Sequence, residues 1–121
     1  INSLNNLIPA YGNFNGTNNY DNLYMNRIIT LNTWIHLAAT HSENTVKIYL
    51  NGELTNTREN YSIPFITNRI NCFLGKSNWG KIDEIADAEF DDIRIYNRSL
   101  SNEEIIRAMN QTVKFFTKIE A

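Results

Sequence analysis

Thr45-Val46-Lys47-Ile48-Tyr49-Leu50 followed by Asn51-Gly52 constrains this chain more than any other stretch. The period of two puts Val46, Ile48 and Leu50 on one strand face and Lys47 and Tyr49 on the other. Asn-Gly then favours a type I′ turn, whose two central residues both need positive φ. Glu53 to Arg58 returns as the partner strand. Its polar content predicts an edge or surface position. Together these residues predict an antiparallel hairpin in mid-chain.

The flanks extend that reading. Tyr24 to Thr30 and Thr33 to His41 are predicted strands, separated at Asn32. Trp34, His36, Ala38 and Thr40 share one face of the second, and Ile35, Leu37, Ala39 and His41 the other. Both faces are largely apolar, which predicts a central strand. Residues 1–23 are rich in turn residues and leave room for one short strand near Leu4 to Ile8. After a crossing loop containing Pro64, Arg69 to Gly75 is predicted as a strand with Ile70, Cys72 and Leu74 aligned. Cys72 is expected to be a buried, inert thiol. Glu84 to Tyr96 holds the last major strand, with a bulge near Phe90 to Ile93 where the alternation slips.

That strand runs directly into a helix signal. Ser101 at the N-cap and Glu104 three residues later form a capping box, with Leu100 and Ile105 placed as its hydrophobic staple. The helix is expected over about residues 101–110, with Ile105, Ile106 and Met109 on its apolar face. Residues 113–121 read as a linker or one more strand. The predicted interior closes over Trp34, Ile48, Leu74 and Ile95.

These pieces occur in a telling order. Thr33-Trp34-Ile35-His36-Leu37-Ala38-Ala39-Thr40 comes first, then Tyr49-Leu50-Asn51-Gly52, a Leu74-Gly75 strand end, and finally Phe90-Asp91-Asp92-Ile93-Arg94-Ile95-Tyr96-Asn97-Arg98-Ser99-Leu100-Ser101-Asn102-Glu103-Glu104-Ile105. The order resembles the laminin-G-like, concanavalin-A-like jelly-roll family over about residues 24–109. The resemblance implies an antiparallel jelly-roll β-sandwich with one short C-terminal helix, used mostly for binding. Members usually carry further strands before the Trp-x-His strand, so the chain reads as one domain, residues 1–121, shortened at its N-terminal side. The resemblance also gives His36 and one of Asp91 and Asp92 structural roles.

Composition excludes several classes. With 121 residues there is enough chain for one domain and one core. Eleven basic and 13 acidic residues are well mixed and leave no basic footprint for nucleic acid. No apolar run approaches the ~20 residues that span a bilayer, so no membrane insertion is expected. A single cysteine makes neither an internal disulfide nor a metal cluster.

Four groups remain as candidates for chemistry. Trp79 beside Asn78, in a loop expected at the sandwich rim, offers an aromatic face and an amide suited to a glycan. Tyr20, Asp21 and Asn22 with Tyr24 form a second such rim patch, in which Tyr20 and Asp21 are the candidate ligand residues. Asp83, Asp87 and Asp91 lie in an acidic run that could supply oxygen ligands to calcium, the one metal the sequence nominates; no other cofactor is implied. Glucanases of the resembled superfamily carry Glu-x-Asp-x-Glu on one strand. Here the spacing is Glu84-x-x-Asp87-x-Glu89, which turns Glu84 to the opposite strand face and aligns only Asp87 with Glu89. His36 and His41 fall on opposite faces and cannot share a metal.

The sequence therefore leads to a non-catalytic recognition module for a glycan or protein ligand, in a larger extracellular, cell-surface or virion-associated protein. The alternatives are a structural or assembly domain contacting other subunits of a large complex, with no small ligand, and, more remotely, a glycoside hydrolase.

Overall fold

Val46, Ile48 and Leu50 lie on the inner face of the strand Thr45–Leu50, and all three are buried. Around that strand the chain builds its interior. The structure, a computed structural model, describes residues 9–14, 20–78 and 85–111, with the side chains of residues 13, 14 and 20 outside that description. The described strands are β1 (Ala10–Phe14), β2 (Tyr20–Tyr24), β3 (Leu37–Ser42), β4 (Thr45–Leu50) and β5 (Glu53–Arg58), followed by helix α1 (Asn102–Asn110). All pairings are antiparallel: β1 pairs with β2, and β3-β4-β5 form a three-stranded sheet. The fold class is all-β, with antiparallel strands in two sheets and one short C-terminal helix, as in a jelly-roll sandwich.

Leu23, Met25, Val46, Ile48, Leu50 and Tyr61 form one buried cluster, with Tyr11, Ile29 and Ile35 packed against it. The β1–β2 hairpin thus lies over the inner face of the larger sheet. Side chains tie the two layers: Asn56 Nδ2 donates to Tyr24 O at 2.8 Å, and Asn26 Nδ2 to Thr55 O at 3.2 Å. The Asn51-Gly52 turn has φ of 50° and 79°, the positive pair that a type I′ turn demands. Beyond the turn β5 bulges at Thr55: Ile48 faces Asn56 and Tyr49 faces Leu54, leaving Thr55 to donate its hydroxyl to Ile48 O.

By contact density the chain has two compact units, residues 1–65 with 96–121, and residues 66–95. In the second, Ala86 N donates to Gly75 O at 2.8 Å and Asn78 Nδ2 to Asn71 O at 3.0 Å. Gly75 has φ 73°, and a Cβ there would sit 3.3 Å from the Phe90 ring, so both the turn and the close approach call for glycine.

Several expectations are corrected. Of the four residues expected to meet in one interior, only Ile48 is buried; Trp34 is 66% exposed, Leu74 58% and Ile95 95%. The interior forms instead where a second layer supplies Leu23, Met25 and Tyr61. Residues 25–30, 33–36 and 66–78 contain no strand, and neither do 85–96. Without a strand in that last segment the expected Phe90–Ile93 bulge has no ladder to interrupt. Cys72 is exposed. The strand expected near Leu4 to Ile8 lies outside the described residues, as do residues 113–121, while β1 forms at Ala10–Phe14 despite Gly12 and Asn13.

Candidate functional site

Antiparallel pairing gives the β3-β4-β5 sheet a second, outward face. The register aligns Thr40 with Lys47 and Ser42 with Thr45 across β3 and β4. Helix α1 stands at the far end of this face. Its start is set by the sequence: Ser101 Oγ accepts from Glu104 N, and Glu104 Oε2 accepts from Ser101 N at 2.8 Å, completing the capping box. Arg98 donates through both terminal nitrogens to the two Glu104 oxygens, at 2.8 and 2.9 Å. Those bonds, and then the Ser101 amide, hold the Glu104 carboxyl down to about 2. Ile105 is buried, and Ile106 and Met109 reach the Asn51-Gly52 turn.

Between sheet and helix lies an open groove of about 950 Å³. Its polar floor carries the hydroxyls of Thr40, Ser42 and Thr45 and the ammonium of Lys47. None of these four side chains makes a hydrogen bond or ion pair with another described residue. Toward the helix the lining turns apolar, with Leu54, Ile106 and Met109. Tyr49 also faces this side but is buried, so it forms wall and not an exposed stacking platform. The sequence already placed Lys47 and Tyr49 outward and gave α1 an apolar face. The unread signal was that both outward surfaces belong to one space.

Of the candidate ligand residues singled out at the rim from the sequence, the side chains of Asp21 and Asn78 are described. Asp21 binds inside a lock between the layers. Its Oδ1 accepts from Arg58 at 2.9 Å and its Oδ2 from Ser62 N at 3.0 Å. The Ser62 hydroxyl first, then the Ser62 amide and Arg58, pull the Asp21 carboxyl below its usual range. Arg58 also lies 5.3 Å over the Tyr61 ring, and the Tyr61 hydroxyl donates to the carbonyls of Tyr11 and Asp21. The Tyr61 ring packs against Tyr11 and His41, and the Tyr11 hydroxyl and His41 Nδ1 are hydrogen-bonded at 3.0 Å. Nothing in the alternation of residues 59–62 marked Tyr61 as a centre of packing. The side chain of Tyr20 and all of Trp79 lie outside the described residues; Asn78 is exposed and engaged with Asn71.

The acidic run is partly described. Asp83 and Glu84 lie outside the described residues, and Asp87 and Glu89 are exposed on a non-strand segment. Asp91 Oδ1 accepts from Asp92 N, and Arg94 forks onto both oxygens of Asp92 at 2.8 and 2.9 Å. Among the described residues no three His, Cys, Asp or Glu side chains converge as a metal cluster. Nor is any described helix long and apolar enough to cross a membrane. His36 serves through its backbone: its N–H donates to Asn51 Oδ1 and its carbonyl accepts from Asn51 N, both at 2.8 Å.

Comparison with known proteins places this geometry. A family model described as the concanavalin A-like lectin/glucanases superfamily, of laminin-G type, matches residues 8–106. Among solved structures, an S-layer domain-containing protein (residues 221–444) from Clostridium thermocellum superposes with a TM-score of 0.59 at 25% identity, covering 84% of this chain and 51% of that one. The chain therefore spans about half the length of that solved relative. No curated protein matches significantly.

Proposed function

Since this chain belongs to the concanavalin A-like lectin/glucanase superfamily, we propose that it serves as a non-catalytic recognition module of a cell-surface protein, holding a glycan in the groove between the outer sheet face and α1. The observation that carries this reading is the convergence of Thr40, Ser42, Thr45 and Lys47, none paired with a described residue, beside apolar Leu54, Ile106 and Met109. Sugars present hydroxyls on their edges and C–H groups on their faces. A floor of hydroxyls and one ammonium, flanked by an aliphatic wall, satisfies both kinds of surface. The likeness to an S-layer domain-containing protein supports a place at the cell surface. Exposure of Asp87 and Glu89 on irregular backbone supports a binding role over hydrolysis, because a retaining pair must be held ~5 Å apart across the scissile bond.

The test is titration of the chain with a panel of neutral and carboxylated oligosaccharides, followed by heteronuclear NMR. Shifts should map to β3, β4 and α1, and the double substitution Thr40→Val with Lys47→Ala should remove them. Binding that survives this change would move the site elsewhere. Absence of binding to every sugar, together with self-association or capture of a defined surface-protein partner, would favour the assembly role. Turnover of a β-glucan, lost in Asp87→Asn, would overturn the non-catalytic reading.

A further inference from the structure

Asn-Gly is the dipeptide whose side-chain amide is most open to attack by the following backbone nitrogen, because glycine offers no side chain to hinder it. In the β4–β5 turn that dipeptide is held at three points. Asn51 Oδ1 accepts from His36 N at 2.8 Å, and Asn51 N donates to His36 O at 2.8 Å. Gly52 is buried, and a Cβ on it would lie 3.0 Å from Ile106 Cγ1 and 3.3 Å from Met109 Cε. Both residues sit in the left-handed region, at φ 50° and 79°.

We propose that Asn51 is a deamidation site that helix α1 keeps closed, so that opening of the helix starts an irreversible change in the turn. The reaction needs the Gly52 nitrogen to lose its proton to hydroxide and bond to Asn51 Cγ. The Cγ–Nδ2 bond breaks, and ammonia leaves with a proton from water. Water then opens the resulting cyclic imide at either carbonyl, giving aspartate or isoaspartate at position 51. No oxidant or reductant is involved. To reach the ring-closing geometry, the Asn51 side chain must leave His36 N and the turn must abandon its left-handed conformation. Ile106 and Met109 lie against Gly52 and oppose that movement. Local opening of α1 is therefore the gate.

The product changes the site on two counts. Isoaspartate inserts a methylene into the main chain and destroys the two-residue turn that sets the β4–β5 register. Either product adds a negative charge to a groove-lining position next to Glu53.

The experiment is incubation of the full chain in mildly alkaline buffer, with peptide mapping by mass spectrometry to follow position 51 separately from the other Asn-Gly, Asn15-Gly16. The same chain in concentrated urea gives the open rate. In the folded chain, position 51 should deamidate at least ~10-fold more slowly than in urea, the margin expected for a site reached through local opening. Ser101→Ala, which weakens the helix cap without touching the turn, should raise the folded-state rate roughly five-fold. Circular dichroism confirms that this variant is folded, and hydrogen exchange at Gly52 gives a second measure of opening. Equal rates folded and in urea would overturn the lock. A slow folded-state rate unchanged by Ser101→Ala, despite faster exchange in α1, would overturn the helix as its gate.

Discussion

Val46, Ile48 and Leu50 in β4, and Ile70, Cys72 and Leu74 in the 66–95 unit, carry the same alternating apolar pattern, yet the first three are buried and the second three exposed. The difference lies in what faces them. β4 is paired on both edges, and its inner face meets Leu23, Met25 and Tyr61. Residues 66–78 form no strand. Alternation says that one face is apolar. It does not supply the second layer whose contact removes that face from water, and burial of ~25 cal/mol per Å² of apolar surface is realised only when that layer exists.

The sharpest way to break this comparison is Tyr61→Ala. Tyr61 is 2% exposed, packs against two rings and bonds two carbonyls, so its loss should cost about 3 kcal/mol or more, read from urea unfolding followed by circular dichroism. A cost near that of a surface change would mean that the β4-centred interior is not the seat of stability. Next in size, Ser101→Ala should cost about 1 kcal/mol in the same measurement, by leaving the Glu104 amide without its acceptor.

Acid titration sharpens the contrast further. Glu104 falls from 4.5 to about 2 on folding, and a lowered folded value means that its stabilising contribution is complete above 4.5 and is lost as pH falls through about 2. Asp21 is shifted in the same direction, so it adds to the acid loss. Thermal midpoints should decline between pH 4.5 and about 2, and Glu104→Gln should flatten part of that slope. A slope unchanged by Glu104→Gln would assign the acid sensitivity to other carboxylates. The smallest effect is expected from Leu74→Ser, within about 0.5 kcal/mol, because the side chain is already more than half exposed. A loss comparable with Tyr61→Ala would show that the 66–95 unit buries its apolar residues in solution.

Local structure is legible in the sequence wherever the chemistry is contained within a few residues. The Asn51-Gly52 turn, the alternation of β4, the polar β5 and the capping box of α1 each appear where their residues place them. The strands assigned to residues 24–30 and 33–41 shifted. Met25 left its strand to enter the core, and the segment beginning at Thr33 joined β4 only from Leu37. Of the candidate site, Lys47 and the apolar face of α1 were legible, but the groove was not, because its two walls are separated by more than forty residues of chain. Local sequence suggests a rim position for Asp21, and the Arg58 and Ser62 that engage it are both remote in sequence.

By itself, the sequence determined the elements whose free energy is local: the left-handed turn that Asn and Gly tolerate, the period of two along β4, and the reciprocal bonds of Ser101 and Glu104. Only the tertiary structure decided which apolar faces became interior and which polar side chains became locks or groove lining. Those outcomes depend on a partner surface arriving from a distant part of the chain, and no window of neighbouring residues contains that partner.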